Sequence, residues 1–114
     1  MVRASGMSAA VLPLSFAAGA ARFDETQAGW GLLETGLHGD GVRTYGARVA
    51  FDRAFEAPPV VHVGITGFDI DNKDNARLNV GITNVDVTGF DVELRTWLNT
   101  RIWSVDLSWF AIGH

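Results

Sequence analysis

The chain has 114 residues, of which 47% are hydrophobic and 19% charged, and its formal net charge is −4. This length suits one globular domain, and the lack of a basic excess argues against nucleic-acid binding, because phosphate backbones require clustered lysines and arginines. There is no cysteine, which excludes a disulfide framework and thiolate metal ligands.

Residues 1–22 are predicted to form an apolar N-terminal arm. Arg3 precedes a short apolar run that ends in small residues, a pattern shared with secretory signal segments. The run is too short to span a bilayer. We expect a retained arm that packs against a neighbouring subunit or a larger assembly, with an unprocessed secretory signal as the alternative.

The next segment, residues 22–46, is rich in glycine and has little hydrophobic periodicity. This composition predicts loops and at most a short edge strand around Trp30. The regular part of the chain is expected to begin at residues 47–51.

Apolar and polar residues then alternate with period two, which is typical of strands with one buried face. The predicted strands cover residues 60–66, 77–83, 90–96 and 105–111. In the last two, Phe90, Val92 and Leu94 are expected to share one face, and Val105, Leu107, Trp109 and Ala111 are expected to share another. This alternation places Trp97 on a polar face beside charged residues, and it makes Trp109 the best candidate for a fully buried indole.

Strands at this spacing, joined by short turns and without a helical period, favour an all-β domain made of two antiparallel sheets. A barrel is the alternative. We expect residues 23–114 to form this single β-sandwich.

Several ordered motifs from about residue 40 to the C-terminus carry a family resemblance. They are Pro58-Pro59-Val60-Val61, Asn75-x-Arg77, Thr88-Gly89-Phe90, Thr96-Trp97-x-Asn99-Thr100 and Ser108-Trp109. In this order they resemble the H-type lectin domain of snail agglutinins and discoidins. The resemblance implies a six-stranded antiparallel sandwich that assembles as a homotrimer. It also implies shallow sites at the subunit junctions that bind galactose or N-acetylgalactosamine.

The same resemblance assigns polar binding residues to one subunit. Asp40 matches an acidic residue whose carboxylate accepts hydrogen bonds from vicinal sugar hydroxyls. Arg77 matches an arginine whose planar donors suit ring hydroxyls or an acetamido carbonyl. His38 lies in the loop of Asp40 and joins the candidate site, although a solvated histidine is the commoner fate.

The adjoining subunit is expected to supply apolar contacts. Trp97 matches the tryptophan whose face packs against a pyranose, and Trp103 stands where the family has an aromatic wall. Leu98 follows Trp97 at a position that is often histidine in the family. The missing hydrogen bond, worth about 0.5–1.5 kcal/mol, leaves three alternatives: weaker galactosamine binding, a different sugar, or no sugar.

Each of these residues also has an ordinary structural interpretation. Asp40 between glycines could stabilise a turn, and Arg77 could form a surface ion pair with Asp40 or Glu93. Trp97 could belong to an oligomer interface, since such interfaces are enriched in tryptophan.

No cofactor or metal is predicted. The spacing of Asp69, Asp71 and Asp74 superficially suggests calcium, but it lacks the glycine and terminal glutamate of the helix-loop-helix calcium motif, so a solvated turn is favoured. There is no Gly-x-Ser-x-Gly motif and no pair of histidines at metal spacing, so we expect no enzymatic activity.

Two functions remain. The first is a trimeric carbohydrate-binding module that binds surface glycans through avidity. The second is a structural or adsorption component, in which the arm anchors the domain in a larger particle such as a phage-like tail or capsid fibre. Both predict an extracellular, cell-surface or virion-like location, with glycans and further copies of the chain as partners.

Overall fold

A computed structural model describes residues 13–36 and 38–114, and in this part of the chain all regular structure is β-strand. The six strands are β1 (Ser15–Asp24), β2 (Arg43–Ala50), β3 (Val60–Ile70), β4 (Asn79–Asp86), β5 (Gly89–Thr96) and β6 (Ile102–Gly113). Each is antiparallel to its neighbours. The all-β, six-stranded prediction is confirmed.

The strands form two sheets of three. Sheet A has the order β1-β6-β3 and sheet B the order β2-β5-β4, so β6 and β5 are the central strands. The inward-facing residues of the central strands are the most buried of the core, because strands cover them on both sides. They include Phe90, Val92 and Leu94 of β5 and Val105 and Leu107 of β6. The inward faces predicted for these two strands are therefore correct.

The alternation of the sequence located the strands better than it located their ends. β2 begins at Arg43, four residues before the expected start, and β3 continues to Ile70 instead of ending at residue 66. β3 extends through two shifts of register against β6, between Ile65 and Gly67 and between Asp69 and Ile70. Because a bulge breaks strict alternation, the pattern of the sequence stops before the strand does.

The boundary expected after residue 22 falls inside β1, so residues 15–22 belong to the sandwich and not to an arm. β1 pairs with β6 along its whole length, from Ser15 opposite Gly113 to Asp24 opposite Ser104. Its inward-facing residues Ala17 and Ala21 pack against the core. Their small size made this strand resemble the end of a signal segment. Residues 1–12, the rest of the predicted arm, lie outside the described residues.

The loops predicted for this segment are present around Trp30, where the chain turns, and the short edge strand considered there does not form. The Trp30 Nε1–H donates to the carbonyl of Ile102 at 3.0 Å. Its ring packs on Tyr45 with 5.1 Å between the ring centroids. This bond and contact fix the loop against β6 without a ladder of backbone hydrogen bonds.

Trp109 is only partly buried, which differs from the prediction. It faces inward from β6 and lies opposite Gly19 of β1, where a Cβ would stand 2.9 Å from the indole. A cleft of about 710 Å³ opens beside it, between β1 and residues 49–55. The glycine therefore admits the large ring at the edge of the sandwich, where the core is not closed.

Candidate functional site

All six candidate binding residues lie at one end of the sandwich, five in loops and Trp103 as the second residue of β6. β1, β3 and β5 end there, and β2, β4 and β6 begin there. Hydrogen bonds join these loops: Ile102 N–H donates to Leu32, Asp71 N–H to Arg101 and Glu25 N–H to Trp103. We call this region, residues 24–42, 71–78 and 97–103, the loop end.

Asp40 and Leu98 are in direct contact within one chain. The Leu98 N–H donates to the Asp40 carbonyl at 2.8 Å. The Asp40 side chain accepts from Val42 N–H through Oδ1 at 3.1 Å, and the residue is exposed. The turn-stabilising role considered for Asp40 is thus present, and it leaves the second carboxylate oxygen available to a ligand.

The buried Arg43 stabilises this contact between Asp40 and Leu98. The residue is only 6% exposed, and its guanidinium donates to five backbone carbonyls. These carbonyls belong to Leu32, Glu34, Gly41, Leu98 and Thr100. Burial lowers the pKa of Arg43, because removal from water disfavours its charged form, and the carbonyl dipoles offset that cost.

Sequence reasoning missed this role of Arg43. The signal was its position on β2, where it shares the inward face with Tyr45, Ala47 and Val49. A charged residue at an inward-facing position requires buried hydrogen-bond partners. Here the partners are carbonyls of two separate loops, β1–β2 and β5–β6, which residue types alone do not reveal.

Arg77 is linked to the same turn through Thr100. Its Nη1 donates to Thr100 Oγ1 at 3.0 Å, and the Thr100 hydroxyl donates to the Asn75 carbonyl at 2.6 Å. Its ion-pair partner is Asp74, at 3.6 Å, and not Asp40 or Glu93. Part of the Arg77 guanidinium is therefore occupied by contacts with neighbouring loop residues, and the side chain is 16% exposed.

The aromatic candidates differ in exposure. Trp97 follows the last residue of β5 and is partly buried, whereas Trp103 is 39% exposed and Leu98 is 46% exposed. The Arg101 guanidinium lies 5.7 Å from the centroid of the Trp103 ring, a cation–π contact. Among the described residues, hydrogen bonds connect neither the Trp103 nor the His38 side chain to Asp40, Leu98 or Arg77.

Two of the aspartates that suggested calcium stabilise the turn in which they lie. Asp71 Oδ1 accepts from Lys73 N–H at 2.9 Å, and Asp74 Oδ1 accepts from Asn75 N–H at 2.7 Å. Within residues 13–36 and 38–114, no group of three carboxylates or imidazoles is placed to hold a metal ion. The same residues include no helix that is long and apolar enough to cross a membrane.

Comparison with known proteins identifies the family. The sequence model of one family, the H-type lectin domain, matches residues 47–112, which is more than half of the chain. The chain belongs to the H-type lectin domain family.

A protein of Fuscovulum blasticum described as "ATP synthase subunits region ORF 7" is 40% identical over 75 residues. This match covers 66% of the chain and 65% of the relative, so the chain spans slightly less than two thirds of that protein.

Two solved structures of discoidin II from Dictyostelium discoideum are similar in fold. Both have a TM-score of 0.70 and 25% sequence identity. They cover 87% and 89% of this chain, but the chain covers only 36% and 37% of them. A lectin-domain family with these structural neighbours supports a carbohydrate-binding module and points away from an enzyme.

Proposed function

We propose that this chain is a lectin subunit that binds galactose, N-acetylgalactosamine or related surface glycans at the loop end. The observation that carries the proposal is the 2.8 Å bond from Leu98 N–H to the Asp40 carbonyl. It puts the acidic candidate beside the turn of Trp97 of the same chain, although the two are far apart in sequence and the family resemblance assigned Trp97 to the adjoining subunit. A carboxylate next to an aromatic residue offers a sugar both hydrogen-bond acceptors and an apolar face.

Each side chain has a separate role in this proposal. The free carboxylate oxygen of Asp40 accepts hydrogen bonds from vicinal hydroxyls of the sugar. Trp97 packs against the C–H face of the pyranose, and Arg77 donates its remaining N–H groups to a hydroxyl or a carbonyl. Trp103 completes the apolar wall from the neighbouring subunit.

A homotrimer would join three such sites, and the outer face of sheet A supports self-association. The register of the strands aligns Phe16 of β1, Ile112 of β6 and Val60 of β3 on this face. Phe16 is 70% and Val60 74% exposed, and Phe110 on the same face is 43% exposed. Association would remove this apolar surface from water, and three linked sites would gain avidity for dense glycans.

A second candidate function is anchoring in a larger particle outside the cell or at its surface. The observation in its favour is the exposure of Leu14 and Phe16 at the start of the described chain, 60% and 70% respectively. In this case the apolar residues would contact a different protein instead of further copies of the chain.

The sugar-binding proposal is tested by Asp40→Asn on a glycan array. Asparagine keeps an oxygen for the Val42 N–H but removes the negative charge, so the turn survives and binding to hydroxyls weakens. We expect the affinity for the best glycan to fall about tenfold or more, as for the loss of a hydrogen bond to a charged group. The matched control is Asp52→Asn, because Asp52 is exposed and lies beside the cleft at the opposite end. Equal binding by both variants and the wild type would refute the site.

A further inference from the structure

Leu98 has a backbone conformation that leucine rarely adopts. Its φ is 54°, in the left-handed region where glycine and asparagine are the usual residues. Bonds on both sides hold it there: its N–H donates to the Asp40 carbonyl at 2.8 Å, and its carbonyl accepts from Arg43 Nη2 at 2.7 Å. The surrounding structure therefore fixes the direction in which this side chain leaves the backbone.

Gly41 shows how closely the two loops approach. It has a φ of 65°, and a Cβ placed on it would lie 3.0 Å from the Leu98 carbonyl oxygen and 3.2 Å from the Leu98 nitrogen. A side chain at this position would require the Leu98 backbone to shift by a few tenths of an ångström and would be strained by the positive φ. The fixed conformation of Leu98 thus depends on three residues, Asp40, Gly41 and Arg43.

The fixed side chain is apolar and faces solvent. Leu98 is 46% exposed beside Asp40, whereas Thr96 and Thr100 in the same turn are buried at 0% and 1%. A strained backbone that presents an exposed apolar group is a feature associated with ligand binding. A leucine side chain neither donates nor accepts hydrogen bonds, so a hydroxyl pressed against it would lose water and gain no partner.

We propose that Leu98 determines specificity by selecting a pyranose that carries a methyl group at this contact over one that presents a hydroxyl. The inference rests on the proposed sugar-binding function. Two substituents of sugars supply such a methyl group, the C6 of a 6-deoxyhexose and the acetamido group of an N-acetylhexosamine. Burying a group of this size favours the methyl-bearing sugar by about fourfold.

Calorimetric titration of the intact protein with three glycosides tests this inference. Methyl β-D-fucopyranoside differs from methyl β-D-galactopyranoside only in lacking the 6-hydroxyl, and in the methyl glycoside of N-acetylgalactosamine an acetamido group replaces the 2-hydroxyl. All three carry the glycosidic methyl group, so we call the fucoside and the N-acetylgalactosaminide methyl-bearing because each has a second methyl group. We expect one methyl-bearing glycoside to bind about fourfold tighter than the galactoside, and the one that does so identifies the source of the methyl group. Equal affinity for all three would overturn the inference and leave the proposed function standing. Binding of none would count against the proposed function itself.

Leu98→Asn separates the role of the side chain from that of the backbone. Asparagine tolerates the left-handed conformation and keeps both backbone bonds, so the variant is expected to fold. Its affinities for the methyl-bearing glycoside and the galactoside are expected to be about equal. Leu98→Ala is expected to lower the preference as well. Ile65→Ala is the matched control, since Ile65 is also 46% exposed but lies in the middle of β3. A preference retained in both Leu98 variants, or lost in the Ile65 variant, would contradict the assignment.

Discussion

At the scale of single residues, Arg43 organises the loop end although it is hidden from any ligand. Its guanidinium contacts five carbonyls, those of Leu32, Glu34 and Gly41 in one loop and of Leu98 and Thr100 in another, and three of these contacts share the two hydrogens of Nη1. Arginine suits this role because its donors are arranged in a rigid planar fork. One buried side chain therefore takes the place of a regular hydrogen-bonded scaffold beneath Asp40 and Leu98.

Arg43→Lys is expected to destabilise the domain by about 2–4 kcal/mol, since a lysine has three donors on a flexible stem and leaves buried carbonyls without partners. Urea unfolding followed by tryptophan fluorescence measures the change. The control is Arg95→Lys, because Arg95 is exposed on β5 and its replacement should change the free energy of unfolding by less than about 0.5 kcal/mol. Equal stability of the two variants would show that the five bonds contribute little.

At the scale of elements, the turn between β4 and β5 is held by one carboxylate. Asp86 Oδ1 accepts from the Thr88 hydroxyl at 2.7 Å, from Thr88 N–H at 2.8 Å and from Gly89 N–H at 3.1 Å. Arg48 of β2 lies 2.7 Å from the same oxygen. The bonds from Thr88, with smaller contributions from Arg48 and Gly89, lower the pKa of Asp86.

Because the pKa of Asp86 is lowered, its contribution to the stability of the fold depends on pH, and the direction of that dependence follows from the shift. Because the folded-state pKa is below the unfolded-state value of about 3.9, the stabilisation is fully present above that pH and is lost as the pH falls through the folded-state pKa. Thermal unfolding between pH 6 and pH 2 should show a smaller fall in Tm below about pH 4 for Asp86→Asn than for the wild type. Identical profiles would mean that Asp86 makes no pH-dependent contribution.

At the scale of the whole molecule, the two sheets differ in what they present to solvent. The outer face of sheet A is apolar around Phe110, whose ring lies 5.2 Å from that of His62, and the ion pair of Arg22 with Asp106 on this face lies farther along β6, towards the loop end. The outer face of sheet B carries ion pairs, including Arg48 with Asp91 at 3.2 Å. A surface that is apolar on one side only favours association through that side.

Phe110→Asp is therefore expected to convert the proposed trimer into a folded monomer and to weaken binding to dense glycans about hundredfold or more through the loss of avidity. Analytical ultracentrifugation gives the mass, and circular dichroism checks the fold. Thr44→Asp, on the exposed face of β2, should leave the trimer intact. A wild-type chain that is already monomeric would exclude the trimer.

The sequence by itself determined the all-β class, the approximate positions of four strands and the family motifs. These follow from local alternation, which records which face of a strand is buried. The inward positions of Val92, Leu94, Val105 and Leu107 were predicted correctly for this reason.

Only the tertiary structure decided the role of β1, the exposure of Trp109 and the support of the loop end by Arg43. β1 is held by pairing with β6, a partner more than 80 residues away along the chain. The exposure of Trp109 depends on Gly19 across the sheet, and Arg43 donates to carbonyls of distant loops. Backbone groups are the same in every residue type, so contacts made through them leave almost no signal in the order of the amino acids.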